Sequence, residues 1–577
     1  MSLLSTEEVI KAIPILKSKF GVKIANFLIR LIKMDSINQL YDDLVASGLH
    51  NRDGLGFLFD QLSVGHSVNP GGLENIPQEG PFVTISNHPF GGMDGMMLAY
   101  IVSEIRDDFK LMANFLLYKI EPLREIFLPV NPFEDRKDLT SSIKGLREAY
   151  RHVNAGHPLG LFPAGAVSAI NFKDFSIEDR PWPHNVKKLL RQLNVPIIPI
   201  HFSGYNSLLF YSLGLINPKL RSLRLPAEVL TKSGKVIKVT IGKAIHPKEY
   251  INLSLNDFGD ILRTKIYSLD YSFSNKIEYR ATNLVYNNEK SFTNDSLVQS
   301  EINKIEKELI LQLDDFQFYF TQSNKILYSV RSFLKSKEKI YYTNKFKNNI
   351  ATIDELYNES RYAFVWDRKN STIVYACRID LGKEIIENHR MKCIFINNVF
   401  KLNTEVKSLV NNSILFDELC FANDYRGNNI FYITLWESIF EIFRNLKYHY
   451  LISLFHIPYI YQKETTSLFI NFLKENFFDN TFSEHIKSKN RSTLPFPKRL
   501  SKKAFLDFTG KNFNKLEEFL TDLEPTFEID PIICQKLYLM HSTILGLNIN
   551  TKKSSYIDTL FLTDITMVPE NFRQLLE

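Results

Sequence analysis

The sequence predicts an α/β protein built from two domains. Its 577 residues exceed what a single hydrophobic core usually organises. Strand-like and helix-like segments alternate between residues 80 and 245, which is typical of an α/β domain with a parallel or mixed sheet. From residue 360 a hairpin pattern begins a second and different α/β unit.

The composition is that of an ordinary globular protein, with 44% hydrophobic and 23% charged residues and a net charge of +6. Such a mildly basic surface suits anionic lipid headgroups or an acidic carrier protein. No nucleic-acid motif accompanies it, so we expect no nucleic-acid partner. The four cysteines, Cys377, Cys393, Cys420 and Cys534, lack metal-ligand and CxxC spacings. We therefore expect reduced thiols and no metal site.

Residues 6–46 have helical periodicity, with an apolar stripe from Phe20 to Leu31 bordered by basic residues. Such a helix can lie in a bilayer interface or pack on its own domain, and the pattern fits both. The N-terminus lacks the basic start and long apolar core of a secretory signal. No stretch reaches the roughly 18 uninterrupted apolar residues of a spanning helix. We expect a cytoplasmic protein that is peripheral on the inner face of the cell membrane.

Five strands and three helices are predicted in the first domain. The strands are 81–86, 126–130, 159–162, 196–202 and 236–242, and the helices are 94–105, 139–154 and 184–193. The following residues are polar, with helical periodicity from Leu297 to Leu313. These patterns predict a first domain at 1–250 and a polar, partly helical linker at 251–314.

The second domain is predicted at 315–577. Tyr362–Asp367 and Thr372–Cys377 form a hairpin pattern around the turn Arg368–Ser371. A strand at Ser413–Phe421, a helix at Asn428–Arg444 and a strand at Tyr450–Phe455 follow. Strands on both sides of a helix predict a second α/β unit.

The segment His88-Pro-Phe-Gly-Gly-Met-Asp94 carries the first candidate site. It follows the apolar run Phe82–Ser86, which predicts a buried strand. A histidine base that is oriented by a nearby carboxylate can activate a hydroxyl group. Gly91 and Gly92 let the backbone turn sharply and let a substrate approach it. The spacing alone is compatible with two interpretations, a catalytic turn or a loop that merely contains a His and an Asp.

Two further segments follow in the chain, Phe162-Pro-Ala-Gly-Ala-Val-Ser168 and Val195-Pro-Ile-Ile-Pro199. Together with Asn87-His88 to Asp94, they make the region from about 70 to 250 resemble the glycerolipid acyltransferase family of the lysophosphatidate acyltransferase type. The resemblance implies that His88 is the general base for an acceptor hydroxyl that attacks an acyl thioester, and that Asp94 orients its imidazole. It also implies substrate contacts at Asn87, Gly91, Gly92, Pro163, Ala164, Gly165 and Ser168.

Two departures from the usual motifs bear on the acceptor. Five residues separate His88 from Asp94, one more than usual, and this longer form resembles the branch of hemolysin-like and ornithine lipid acyltransferases. The usual Glu and Arg of the proline-glycine motif are replaced by Ala164 and Val167. Because a guanidinium matches phosphate oxygens, its loss favours an acceptor without phosphate. Arg136 or Lys137 could supply the missing cation.

Glu418 lies on the predicted strand Ser413–Phe421, and Arg426 and Gly427 follow in a loop that opens a helix. Arg426 and Gly427 match part of the acetyltransferase signature of the GNAT superfamily, without its second glycine. Residues 315–565 resemble the GNAT-like N-acyltransferases that make ornithine lipids. The resemblance implies that Glu418 deprotonates an amine, that Arg378 binds an amino acid carboxylate, and that the Arg426 loop holds a donor phosphate. The alternative for Glu418 is a solvated residue at a strand edge. The alternative for Arg378 is a purely structural role.

The two halves together resemble bifunctional ornithine lipid synthases. The resemblance implies that the C-terminal domain N-acylates a free amino acid with a 3-hydroxyacyl group, and that the N-terminal domain O-acylates the 3-hydroxyl of that lyso-aminolipid. It implies acyl carrier protein or coenzyme A thioesters as donors, no bound cofactor, and contact with a membrane surface. The alternatives are a lysophospholipid acyltransferase with an inactive second domain, and a membrane-binding protein without activity.

Overall fold

The structure of the protein is a computed structural model. It describes residues 34–568 except 131–138, 172–175, 217, 271–294, 314, 323–324, 326–360, 389–390, 392–394, 422–438, 440–445, 459–460, 491, 530 and 550–555. The chain divides into two compact units, the first formed by Met1–Lys276 with Lys498–Thr509 and the second by Ile277–Pro497 with Gly510–Glu577. Both units contain helices and sheets, so the predicted α/β class is confirmed.

The first unit alternates helices with strands. Up to residue 276 its helices are α1 (Met34–Ser47), α2 (Asn51–Leu62), α3 (Gly92–Val102), α4 (Phe115–Tyr118), α5 (Leu139–Asn154), α6 (His184–Leu193), α7 (Leu208–Ile216), α8 (Pro218–Leu230), α9 (Pro247–Tyr250) and α10 (Leu255–Ser268). Its strands are β1 (Gly65–Val68), β2 (Val83–Ser86), β3 (Lys110–Asn114), β4 (Phe127–Val130), β5 (Leu159–Leu161), β6 (Ala169–Ile170), β7 (Ile177–Glu178), β8 (Ile197–Ser203) and β9 (Val236–Ile241).

Seven of these strands form one sheet in the order β1-β9-β8-β2-β5-β3-β4, and only the β8–β9 pair is antiparallel. All five predicted strands and all three predicted helices are confirmed. The sequence pattern does not mark β1 and β3. β1 is short and only partly buried, while β3 begins with a lysine and ends with an asparagine, so neither has a clear apolar run.

The sheet is apolar because helices cover both of its faces. Ile198, Ile200 and Phe202 of β8 pack in one core cluster with residues of α1, α2 and α3. Ile197 packs in a second cluster with residues of α5, α6 and α10 on the opposite face. Strands buried on both sides need apolar residues at successive positions, which explains the continuous run that marks β8 in the sequence.

Two predictions about the ends of this unit differ from the structure or lie outside it. Of the predicted helical region 6–46, only α1 falls in the described residues, and the stripe from Phe20 to Leu31 does not. Within the predicted linker, α10 buries Phe258, Leu262 and Ile266 in the core of the first unit. No helix of the described ranges combines the length and apolar character that crossing a bilayer requires.

The rest of the chain carries a second set of elements. Its helices are α11 (Asp295–Lys304), α12 (Gly382–Glu387), α13 (Lys407–Asn411), α14 (Lys463–Phe477), α15 (Lys502–Thr509), α16 (Phe513–Leu523), α17 (Pro531–Cys534) and the π-helix Gln535–Leu539. Its strands are β10 (Leu309–Leu313), β11 (Phe316–Gln322), β12 (Arg361–Asp367), β13 (Thr372–Leu381), β14 (Phe400–Leu402), β15 (Ser413–Phe421), β16 (Tyr450–Pro458), β17 (Ile486–Ser488), β18 (Thr543–Ile549) and β19 (Tyr556–Asp564).

The second unit is organised by an eight-stranded sheet in the order β10-β11-β12-β13-β15-β16-β19-β18. All neighbouring pairs are antiparallel except β15 and β16. The predicted hairpin and both later strands are confirmed, and Asn428–Arg444 lies almost wholly outside the described residues. The predicted helix Leu297–Leu313 is wrong at its end, because the apolar run Leu309–Leu313 pairs with β11 as β10. An apolar run this short is compatible with both the helical and the strand periodicity.

Residues 498–509 return to the first unit and attach to α10 and the residues after it. The Arg499 guanidinium lies 2.5 Å from Asp270, and Lys503 Nζ lies 2.9 Å from Asp257. Asp270 also accepts a hydrogen bond from Ser203 Oγ at 3.3 Å, at the end of β8. The first unit is therefore completed by a segment that the sequence pattern assigns to the second domain.

We expect Arg499→Ala to lower the stability of the first unit by about 1 kcal/mol, because it leaves the partly buried Asp270 without its guanidinium partner. Lys503→Ala is the matched control, since its side chain is 75% exposed and such a pair contributes little. Thermal unfolding of the full chain measures both. Equal midpoints for the two variants would show that the return segment is not held by Arg499.

Candidate active site

The loop between β2 and α3 places His88 at the carboxyl end of a central strand. Gly91 precedes the first residue of α3 and has a φ of +87°, which favours glycine. Asp94 lies in the first turn of α3, fully buried, and its Oδ2 accepts hydrogen bonds from the backbone N–H of Phe90 (2.9 Å) and Gly91 (3.3 Å). A carboxylate at a helix start satisfies free amide groups and interacts favourably with the helix dipole. Asp94 therefore fixes the loop to the helix.

The same carboxylate faces the histidine. Its Oδ1 lies 3.0 Å from Nδ1 of His88, and the His88 side chain is 18% exposed while that of Asp94 is fully buried. Because Nδ1 faces the carboxylate, Nε2 is the nitrogen available to take a proton from a substrate. The structure thus brings together the two residues that the sequence singled out, in a geometry suited to a general base.

The electrostatics of the site favour the protonated imidazole. Burial lowers the pKa of His88, but the negative charges of Asp94 and Asp179 outweigh it, so the pKa of His88 is raised. A base must be neutral to accept a proton, so the His88 imidazole is available as a base only above this raised pKa.

The proline-glycine loop meets the His88 loop because β5 and β2 are parallel neighbours. The Phe162 ring stacks on the His88 imidazole at 4.2 Å between centroids. The backbone N–H of Ser168 donates to the His88 carbonyl at 2.8 Å. Ser168 is 2% exposed, and its hydroxyl donates to Asp179 Oδ1 at 2.6 Å. Ser168, predicted as a substrate contact, instead joins the two loops, since its hydroxyl is buried and bonded.

Asp179 is a site residue that the sequence reasoning missed. Its Oδ1 accepts from the backbone N–H of His88 at 3.2 Å as well as from Ser168. Burial raises the pKa of Asp179, and the Ser168 hydrogen bond opposes that shift. Asp179 follows the two-residue strand β7 in a segment without a recognisable motif, so no signal marks it. Because Asp179 accepts a hydrogen bond from the His88 backbone, it is a positioning residue.

Asn87 also has a structural place rather than the predicted contact with substrate. Its Nδ2 donates to the Phe202 carbonyl at 2.9 Å, and its Oδ1 accepts from the Phe202 N–H at 2.7 Å. The residue is 4% exposed. Because its amide is paired with the backbone of β8, Asn87 fixes the start of the His88 loop to the neighbouring strand.

The two glycines of the loop have different surroundings. A Cβ on Gly91 would lie 2.7 Å from Leu225 Cδ2, whereas one on Gly92 would meet nothing closer than 3.8 Å. Gly91 is therefore required by its conformation, and an added Cβ would also displace the Leu225 side chain; neither argument applies to Gly92.

The proline-glycine loop turns at Pro163, Ala164 and Gly165, where Gly165 has a φ of +64° and donates to the Phe162 carbonyl at 3.0 Å. Ala164 is buried in the second core cluster, and Val167 is buried against Phe210 and Tyr211. The positions that carry Glu and Arg in the usual motif thus contact apolar residues here. Arg136 and Lys137 lie outside the described residues.

The candidate residues of the second unit are only partly described. Glu418 lies on β15, where the register with β13 shifts between Ala376 and Arg378, but its side chain is outside the described residues. Arg426 and Gly427 are also outside them. Arg378 donates to Asp380 at 2.9 Å and is 11% exposed, so the structural alternative for Arg378 is favoured over carboxylate binding.

The second unit contains a His–Asp pair that the sequence reasoning missed. His456 Nδ1 lies 2.8 Å from Asp558 Oδ1, because the two residues are register partners on β16 and β19. Asp558 Oδ2 accepts from Asn548 Nδ2 at 2.6 Å, and Asn548 is fully buried. Strand pairing across 102 positions creates this contact, so no local motif could reveal it.

The N-terminal part of the chain is similar to known acyltransferases. Residues 10–276 match the model of a family described as Acyltransferase. The chain is 28% identical over 247 residues to the lyso-glycine lipid O-acyltransferase of Phocaeicola vulgatus, covering 40% of this chain and 84% of that protein. It is 27% identical over 233 residues to the lyso-glycine lipid O-acyltransferase of Bacteroides thetaiotaomicron, covering 38% and 80% respectively.

Among solved structures, the chain matches the 1-acyl-sn-glycerophosphate (LPA) acyltransferase PlsC from Thermotoga maritima with 16% identity and a TM-score of 0.26, over 44% of this chain and 90% of that one. At that TM-score the match supports no inference. The family match and the curated relatives establish an acyltransferase domain in the N-terminal part, and the protein is an acyltransferase.

We expect Gly91→Ala to reduce acyl transfer at least about tenfold, because the strained φ and the contact with Leu225 cost about 1–3 kcal/mol or displace the loop. Gly92→Ala is the matched control and should retain activity, since its Cβ has room. Initial rates together with thermal midpoints distinguish a displaced loop from general unfolding. Equal activity in the two variants would contradict the assigned role of Gly91.

The rate of acyl transfer should rise with pH through a midpoint above 6.5, because the negative charges of Asp94 and Asp179 raise the pKa of the His88 base. Asp179→Asn removes one of those charges and should move the midpoint to lower pH. Asp257→Asn should leave the midpoint in place, because Asp257 is paired with Lys503 and is not among the charges that act on His88. A pH–rate profile whose midpoint is insensitive to Asp179→Asn would refute this electrostatic role.

Proposed function

We propose that the first unit transfers an acyl group from a thioester to the hydroxyl of a lyso-aminolipid. The observation that carries the proposal is the buried Asp94 carboxylate against His88 Nδ1, with the imidazole partly exposed at the end of β2. The names of both curated relatives support an acylated amino acid as the acceptor.

The site residues account for each proton in this reaction. His88 Nε2 takes the proton from the acceptor hydroxyl as its oxygen attacks the thioester carbonyl, and Asp94 stabilises the imidazolium that forms. Collapse of the tetrahedral intermediate breaks the carbon–sulfur bond, and the thiolate receives the proton from His88. The products are an ester and a free thiol. A thioester of acyl carrier protein or coenzyme A supplies the acyl group, and the chemistry needs no other cofactor.

The environment of Val167 favours an acceptor without phosphate. This position carries an arginine in the motif that the chain resembles, and here it packs against Phe210 and Tyr211. A buried apolar contact cannot provide the paired donors that bind phosphate oxygens. The names of the relatives favour glycine over the ornithine that the resemblance implied.

For the second unit we propose GNAT-like N-acylation of a free amino acid with a 3-hydroxyacyl thioester. The parallel pair β15 and β16 supports this, because ligands in open sheets bind beyond the carboxyl ends of such strands. Arg426 follows β15 in the sequence, and Glu418 lies at an irregular point of that strand. Glu418 takes a proton from the ammonium, the amine attacks the thioester, and an amide and a thiol form. The product is the hydroxyl-bearing lipid that the first unit needs.

A lipid extract from cells that express the chain tests both assignments. The wild type should produce a phosphorus-free diacyl aminolipid. His88→Ala should accumulate the N-acyl lyso-lipid, and Glu418→Ala should abolish both lipids because no acceptor is formed. His66→Ala is the matched control, because His66 is an exposed histidine of the same unit.

Mass spectrometry of the extract distinguishes the outcomes. Intact diacyl product in the His88→Ala cells would overturn the role of His88. A change confined to phosphatidic acid would instead identify a lysophospholipid acyltransferase whose second unit is inactive.

A further inference from the structure

Large apolar side chains at the start of α7 face solvent. Leu208 is 81% exposed, Tyr205 65% and Leu209 40%, and Leu208 is the most exposed large hydrophobic residue in the described part of the chain. Single exposed apolar residues are ordinary, but a cluster within five positions indicates a contact surface. We refer to Tyr205, Leu208 and Leu209 as the α7 surface.

The start of α7 is held in place by buried polar groups. Ser207 donates through its backbone N–H to Glu228 Oε2 at 2.9 Å and through its hydroxyl to Oε1 at 2.6 Å. Glu228 is fully buried, and Arg224 lies 3.2 Å from it. The Ser207 hydroxyl also accepts from the N–H of Phe210 at 3.2 Å. The α7 surface is therefore presented by a fixed helix start.

The other side of α7 contacts the catalytic loops. Phe210 and Tyr211 pack on Val167 of the proline-glycine loop. Asn206 donates to the Phe90 carbonyl at 3.3 Å, beside His88. The α7 surface thus borders the carboxyl edge of the sheet, where the acceptor must enter.

Two basic side chains lie near α7. The Arg221 guanidinium lies 5.6 Å from the centroid of the Phe210 ring, on the buried side of α7. It is close enough to the exposed Arg180 for the two charges to interact. Exposed apolar side chains on a helix that also contacts a basic residue match the hydrocarbon and the anionic headgroups of a bilayer, and tyrosine is common at that boundary.

We propose that the α7 surface inserts into the interfacial layer of a lipid bilayer and thereby brings the His88 loop to the depth of the acceptor headgroup. The proposal rests on the proposed function, because a lyso-aminolipid resides in a membrane. Insertion buries the side chains of Leu208 and Leu209 in hydrocarbon while the phenol of Tyr205 remains among the headgroups.

The test is flotation of the purified full chain with phosphatidylcholine vesicles, with and without phosphatidylglycerol. Leu208→Gln should weaken vesicle binding at least about tenfold, as expected for losing the burial of one leucine. Ile251→Gln is the matched control, because Ile251 is 58% exposed and follows α9 near the opposite edge of the sheet. Arg221→Gln should reduce only the gain that phosphatidylglycerol provides. Thermal midpoints should be unchanged for Leu208→Gln, since an exposed residue is replaced.

Equal vesicle binding by Leu208→Gln and Ile251→Gln would overturn the proposal, as would a wild type that does not float. A change in oligomeric state with Leu208→Gln, without a change in flotation, would identify a protein contact instead. Binding is measured without donor or acceptor, so it does not depend on the reaction. If Leu208→Gln weakens vesicle binding but the wild-type chain makes no aminolipid, the membrane role of the α7 surface is supported and the proposed function is contradicted.

Discussion

The first unit depends on the buried carboxylate of Asp94. One oxygen accepts the amide hydrogens of Phe90 and Gly91, and the other faces His88. A buried carboxylate is costly unless such partners surround it, and the start of α3 supplies them together with a favourable dipole. The same charge that stabilises the turn also sets the orientation and protonation of the base. The fold of the loop and its chemistry therefore depend on the same carboxylate.

Two of the His–Asp pairs in the described part of the chain differ in their surroundings, so the pairing alone does not define a catalytic site. His88 and Asp94 lie six positions apart at the end of a strand, with the imidazole 18% exposed. His456 and Asp558 lie on paired strands, and their side chains are 7% and 8% exposed. Asp558 is further enclosed by the hydrogen bond from the buried Asn548. The exposed fraction of the imidazole therefore distinguishes the two pairs.

Local patterns predicted those parts of the structure that local forces determine. The helices α5 and α6 and the strand β15 have the predicted bounds because their periodicity and their turn residues agree. The pairing of His88 with Asp94 was also predictable, since one short turn creates it. Asp179, the Ser168 link and the contact of Asn87 with Phe202 were not, because each joins segments that only the folded sheet brings together. The strand β10 was missed for a related reason, because its apolar run becomes a strand only by pairing with β11.

The return of residues 498–509 to the first unit has a consequence for biosynthesis. Asp270 and Arg499 are separated by 229 positions, so a nascent chain that has just completed the first sheet still lacks the segment that closes it. The ribosome must add most of the second unit before α15 can dock, and closing so long a loop slows the final step of folding. A gene split after residue 276 would therefore encode two products of which the first is incomplete. The fusion of the two units is thus a condition for completing the first unit.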